Sequence, residues 1–106
     1  NTNNKRTALE YFQKGISIAD AHELQKPKAL IYNNLANLYI TQGDLKNGLI
    51  NAIKADSLFA VLKMHTEQAV SSNLIGAIYF YQANYNKGVE YYKISHQLSI
   101  ASGDLH

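Results

Sequence analysis

The side chains of this sequence with the reactivity to hold a metal or attack a substrate are four histidines and a few serines, and neither set is spaced for that work. His22, His65, His96 and His106 do not fall three or four apart with carboxylates, and there is no cysteine to complete a zinc site. Ser17, Ser71 and Ser72 lie inside helical patterns, where they are expected to be polar filler. A glycine-rich phosphate loop, a nucleophile elbow and paired acids are all missing from the sequence. No catalytic residue, metal or cofactor is therefore expected, and the chain does not read as an enzyme. The aromatic run Tyr79-Phe80-Tyr81, with Tyr85, Tyr91 and Tyr92, has the ring area to stack on nucleobases. Single-strand binders interleave such rings with a basic groove, and the only cations here are Lys87 and Lys93, so Tyr79, Tyr85 and Tyr92 are expected in a core.

The elements that position these residues are helices. Apolar residues recur three and four apart along most of the chain, with one proline and six glycines, which favours an all-α fold and gives strands no foothold. The first helix is predicted over about Lys5 to Gln25, with Leu9, Phe12, Ile16 and Ala19 on one face and Thr2 to Asn4 as cap oxygens. It should stop near Lys26, because the residue before a proline is pushed out of the helical region, and Pro27 should open the second helix. Gly43 can take the left-handed conformation that ends that helix, and Asp44 can cap the next. Further helices are expected over about 45–62, 66–82 and 85–101. In the turn at Ala83-Asn84, Asn84 is the residue that tolerates left-handed geometry better. Ser102-Gly103-Asp104 should close the last helix.

The chain also matches itself at an offset of forty residues. Ala29 recurs as Ala69, Asn33 as Asn73, Tyr39 as Tyr79, Gln42 as Gln82, Gly48 as Gly88 and Leu58 as Leu98. A fixed period in this range marks stacked helical hairpins, each of which buries its apolar face only against its neighbours. Ala36, Gly76, Gly48, Gly88, Ala55 and Gly15 are small where helices should cross, which lets backbones approach. A mid-helix glycine costs about 0.5 to 1 kcal/mol relative to alanine, so Gly48 and Gly88 need such a packing reason.

In the central unit Tyr32, Leu35, Ala36, Tyr39, Gly43, Asp44, Leu45, Gly48, Ala52 and Ala55 resemble the tetratricopeptide repeat pattern. Ile75, Gly76, Tyr79, Tyr85, Gly88, Tyr92 and Ser95 resemble it again. Ala8-Leu9-Glu10-Tyr11-Phe12 lines up with Gly88-Val89-Glu90-Tyr91-Tyr92, so the opening helix is similar to the second, or B, helix of a hairpin. The resemblance implies one domain over 1–106, with a lone B helix at 1–26 and repeats at 27–65 and 66–106. It implies five helices, as antiparallel pairs stacked into a right-handed superhelix. The period is longer than the family's usual one and resembles repeats of bacterial sensor kinases and regulators.

That resemblance carries a binding surface with it. The inner face of such a stack is made by the first, or A, helices, which here places Leu30, Asn33, Asn37, Ile40 and Thr41 beside Val70, Asn73, Ala77, Phe80 and Tyr81. Asn33, Asn37 and Asn73 then offer both donor and acceptor to the backbone of a partner segment, and Ile40, Phe80 and Tyr81 offer apolar contact. The basic cluster with which some members grip a terminal carboxylate is missing from both helices. A protein or peptide interaction module in a larger bacterial signalling or regulatory protein is the leading expectation. A structural spacer or oligomerisation segment is the alternative, and an enzyme or nucleic-acid-binding domain is the third reading.

Composition agrees with a small helical domain: 106 residues, 46% hydrophobic, 17% charged, with a formal charge of +2. Lysines and arginines are scattered, so no nucleic-acid partner is expected. No apolar run approaches the roughly 20 residues that span a bilayer, so no membrane partner is expected either. A soluble cytoplasmic or periplasmic location follows, without a choice between them. The polar start Asn1-Thr2-Asn3-Asn4, with no initiating Met, predicts a segment of a longer protein. Apolar faces at both ends, Leu9, Phe12 and Ile16 at one and Ile94, Leu98 and Ile100 at the other, predict end-to-end self-association.

Overall fold

The computed structural model describes residues 2–103, with side chains from residue 4. Five helices run in order, α1 (Thr2–Ala21), α2 (Gln25–Thr41), α3 (Leu45–Val61), α4 (His65–Tyr81) and α5 (Tyr85–Ala101), with no strand among the described residues. Each helix packs on the next in the chain, α1 on α2, α2 on α3, α3 on α4 and α4 on α5. The all-α stack of antiparallel hairpins is therefore present.

The forty-residue period resolves into two steps of twenty. From α2 onward every helix has 17 residues, and every connection has three. All four connections close the same way. The amide of the last connecting residue donates back five residues, Leu24 to Ala19 O, Asp44 to Tyr39 O, Met64 to Phe59 O and Asn84 to Tyr79 O, at 2.8, 2.8, 2.9 and 2.8 Å. This is the Schellman closure, which satisfies carbonyls left open at a helix end and requires a left-handed residue just before the donor. That residue is Glu23 (φ 55), Gly43 (φ 81), Lys63 (φ 56) and Ala83 (φ 61) in turn.

Two expectations are corrected by this geometry. Ala83, not Asn84, takes the left-handed conformation, because its place is counted from the helix end and not chosen by residue preference. Asn84 instead stands at the N-cap of α5, where its side chain accepts from Lys87 N at 3.5 Å. Likewise α1 runs from Thr2 to Ala21 and α2 starts at Gln25, two residues before Pro27. Pro27 sits in the first turn, where a missing N–H removes no intrahelical bond. The end of α2, expected at Gly43, falls at Thr41, and the remaining limits differ from expectation by one residue or none. Gly103 has φ 82 after the cap residue Ser102, while Asn1, Asp104 and His106 lie outside the described residues.

Caps alternate with the joints. Within hairpins, Asp44 and Asn84 use side-chain oxygens. Between them, Leu24 and Met64 have no side-chain cap, and Met64 packs against the cluster of Ala29, Ala55 and Phe59. A second cluster, Ala36, Ala52, Ile75 and Ile78, joins α2, α3 and α4.

Left-handed backbone at a non-glycine residue costs about 1 kcal/mol. Ala83→Gly is therefore expected to raise stability by about 1 kcal/mol, and Lys63→Gly and Glu23→Gly to do the same, as read by thermal melts. Gly43→Ala should lower it by a similar amount, although nothing stands within 4 Å of the added carbon. A shortfall in all four would place the strain elsewhere.

Asp44 makes stability depend on acid. Its carboxyl is held below the ordinary carboxylate range by hydrogen bonds from the Asn47 side chain (2.7 Å) and backbone (3.1 Å). A lowered folded-state value contributes stability that is present above the unfolded value, near 4, and lost as pH falls through the folded one. Melts from neutral pH downward should show the advantage of the parent over Asp44→Asn vanishing below about pH 4.

Candidate functional site

The small residues expected at helix crossings stand there, and they decide where the predicted groove residues go. On α3, Gly48 leaves room for Ile40 of α2, whose Cγ1 is 2.8 Å from where a Cβ would be. On α5, Gly88 does the same for the ring of Phe80, which lies 5.2 Å from the Tyr92 ring and 5.5 Å from that of Tyr85. Ile40 and Phe80, both half-buried, thus fill the seam within their hairpins. Tyr85, expected in the core, is 59% exposed and touches Phe80 from outside.

Asn33 is half-buried, and its Oδ1 is the one buried side-chain polar atom lacking a hydrogen-bond partner among the described residues. Asn37 is exposed but donates its Nδ2 to Asn33 O at 3.2 Å, and Thr41 donates its hydroxyl to Asn37 O at 2.8 Å. These bonds use the donors on the helix itself and leave Asn37 Oδ1 as the open acceptor. Asn73 is exposed, in a shallow depression of about 270 Å³ with Thr66, Val70, Ser95 and Ser99. Ala77 is half-buried, and Tyr81 is 73% exposed. The uncovered A-helix face is therefore Leu30, Asn37 and Thr41 on α2 with Val70, Asn73 and Tyr81 on α4. Asn34 belongs to it too. Its place three residues before Asn37 was the available signal.

The most developed polar arrangement lies at the α3–α4 junction and was not anticipated. Ser71 and Ser72 are fully buried, and both donate to Asp56 Oδ1, at 2.8 and 2.9 Å. Ser71 also reaches Gln68 O at 3.0 Å, and nearby Ser95 donates to Ala69 O at 2.6 Å. Burial raises the Tyr91 phenol, followed by the proximity of Tyr79, Asp56 and Glu90. The clue was a serine pair where the previous repeat has Ile31 and Tyr32, at positions that should be apolar. Buried hydroxyls paired to one carboxylate lock two helices in register.

Two lysines stand beside one ring, Lys54 at 5.3 Å and Lys28 at 6.0 Å from the centre of Tyr32, and Lys87 is 5.4 Å from that of Tyr79. Lys28 is also paired with Asp20 at 2.7 Å, whose hydrogen bond raises the lysine's pKa. Among the described residues, no group of three His, Asp or Glu side chains is placed to hold a metal ion, and no helix is long and apolar enough to cross a membrane.

Comparison with known proteins agrees with this geometry over one hairpin. The family model described as "Tetratricopeptide repeat" matches residues 29–59, from the second turn of α2 nearly to the end of α3. No curated protein and no solved structure matches the chain. The α2–α3 hairpin is thus similar to a tetratricopeptide repeat, and α4–α5 follows it with the same helix lengths and turns in an all-α helical-repeat fold.

Proposed function

We propose that the chain binds a polypeptide segment across the uncovered face of its A helices, α2 and α4. Tetratricopeptide repeats generally mediate protein–protein interaction, and the observation that carries the reading here is the composition of that face. Leu30, Val70 and Tyr81 are exposed apolar and aromatic side chains beside the amides of Asn37 and Asn73. Exposed rings and amides together suit an extended or helical peptide, which needs apolar burial and hydrogen-bond partners for its backbone. In this reading Thr41 and Ala77 flank the contact, while Ile40 and Phe80 support it from the seam and Asn33 from its half-buried place. The whole stack, 1–106, acts as one unit. The setting we propose is a larger bacterial signalling or regulatory protein, by likeness of the forty-residue period to repeats in such proteins.

The test is selection of peptides from a random display library on the parent chain, followed by affinity measurement on an Asn37→Ala, Tyr81→Ala double variant. Both positions are exposed, so melting should be unchanged while selected peptides lose about tenfold or more in affinity. Ligands indifferent to the double variant, or failure to select any, would overturn the reading in favour of a spacer.

A further inference from the structure

We propose that the outer row of α3, formed by Ile50, Ile53 and Val61, is a docking surface for an amphipathic helix of another polypeptide whose apolar face is edged by carboxylates. The three side chains are 42%, 40% and 79% exposed, and Ser57 completes the row. Steps of three, four and four residues keep them on one side of the helix. The fold does not need this row to be apolar. Its places are taken by Glu10, Gln13 and Ser17 on α1 and by Glu90, Lys93 and Gln97 on α5, all exposed. Nor does stacking cover it. α1 has four helices after it and α5 has four before it, and both keep these places open, while α3 has two on either side and is open there too. Extending the stack at either end therefore does not account for the row.

The chemistry of the occupant follows from what borders the row. Lys46 and Lys54, both exposed, stand one turn before and one turn after Ile50. Beside Ile53 is a depression of about 350 Å³ lined by the Tyr32 ring, to which the ammonium groups of Lys54 and Lys28 come within 5.3 and 6.0 Å of the centre. Asp20 takes Lys28, but Lys54 has no carboxylate partner among the described residues. The acids of α3 itself are engaged elsewhere, Asp44 with Asn47 at the cap and Asp56 with the serines of α4. An apolar row edged by ammonium groups suits apolar side chains edged by carboxylates. The backbone of α3 is bonded within its own helix, so an extended segment would find no ladder there for its N–H and C=O groups. A helix arrives with them satisfied. A second copy of this chain fits poorly, because its α3 brings the same lysines and the outer rows of its α1 and α5 offer no large apolar side chain. The surface lies on a B helix, apart from the A-helix face.

The probe is a fluorescently labelled, helix-stapled peptide with leucines three and four apart on one face and glutamates along both edges of that face, titrated against the full chain by anisotropy. A second peptide carries lysine at every glutamate. The glutamate peptide should bind about tenfold more tightly than the lysine peptide, and the difference should shrink as salt rises. Ile50→Glu with Ile53→Lys puts on α3 the residues that α5 carries at the same places, so circular dichroism and melting should be unchanged while the glutamate peptide loses about tenfold or more in affinity. Lys46→Gln with Lys54→Gln should narrow the preference between the two peptides. Asn37→Ala with Tyr81→Ala should leave both affinities as they are, which separates this surface from the A-helix face. Equal affinities for the two peptides, no binding up to millimolar concentration, or binding untouched by the Ile50→Glu, Ile53→Lys pair would overturn the proposal. So would capture of the chain by phosphatidylserine vesicles, or a dimer of the chain alone, that the same pair abolishes, since a membrane or a second copy would then be the occupant.

Discussion

Asp56→Ala is expected to lower the unfolding free energy by about 2 to 3 kcal/mol. The removed carboxylate accepts from two fully buried hydroxyls. Ser71 has a second acceptor in Gln68 O, to which it can turn, while Ser72 makes its hydrogen bond to Asp56 alone. A buried hydroxyl left without a partner costs about 1 to 3 kcal/mol, and the lost bonds to a charged group add to it. Asp56→Asn keeps an acceptor oxygen and should cost about half as much. The same Asp56→Ala change in a chain that already carries Ser71→Ala and Ser72→Ala should cost under about 1 kcal/mol, because no hydroxyl remains to be orphaned. Urea denaturation of the four chains closes the cycle. A loss below about 0.5 kcal/mol for Asp56→Ala alone would mean that the hydroxyls find other acceptors and that the clasp does not hold α3 to α4.

Gly88→Val should cost about 3 kcal/mol or more, and Gly88→Ala about 1 to 3 despite the gain in helix propensity. A Cβ at Gly88 would collide with the Phe80 ring and stand 3.2 Å from Gly76 O, and one at Gly76 would stand 3.0 Å from both Gly88 O and the Tyr92 ring. These two glycines mark where α4 and α5 come closest, and a backbone carbonyl cannot swing aside as a side chain can. Phe80→Leu should therefore recover only the part of the Gly88→Ala loss that comes from the ring. At Gly48 the obstacle is a side-chain atom, Ile40 Cγ1 at 2.8 Å, and the nearest backbone oxygen, Ala36 O, stands at 3.5 Å, so Gly48→Ala should be milder. Equal losses at Gly48 and Gly88 would sink the close-approach explanation.

Both predictions concern residues that were only half legible beforehand. Gly88 was recognisable as a crossing point because a glycine inside a helix needs a reason. The consequence for Phe80 was not, since position 80 falls on an edge of the helical wheel that serves equally for a groove or a seam. Ser71 and Ser72 looked like ordinary polar residues because helical spacing counts hydroxyls as surface, and their acceptor is fifteen and sixteen residues away on another helix.

The sequence by itself determined the helices, to within four residues at their ends, and their order in the stack. Those depend on local physics: apolar spacing, small residues, caps, and a forty-residue repetition that forces equal units to pack alike. Tertiary structure alone decided which face of each helix is covered. An A helix here touches a helix on either side in the chain, so two faces are apolar and a single period of 3.6 residues cannot say which of the rest stays open. It also decided that Ala83 bends left-handed while Asn84 caps, because the closure is counted from the end of the preceding helix and overrides what either side chain prefers.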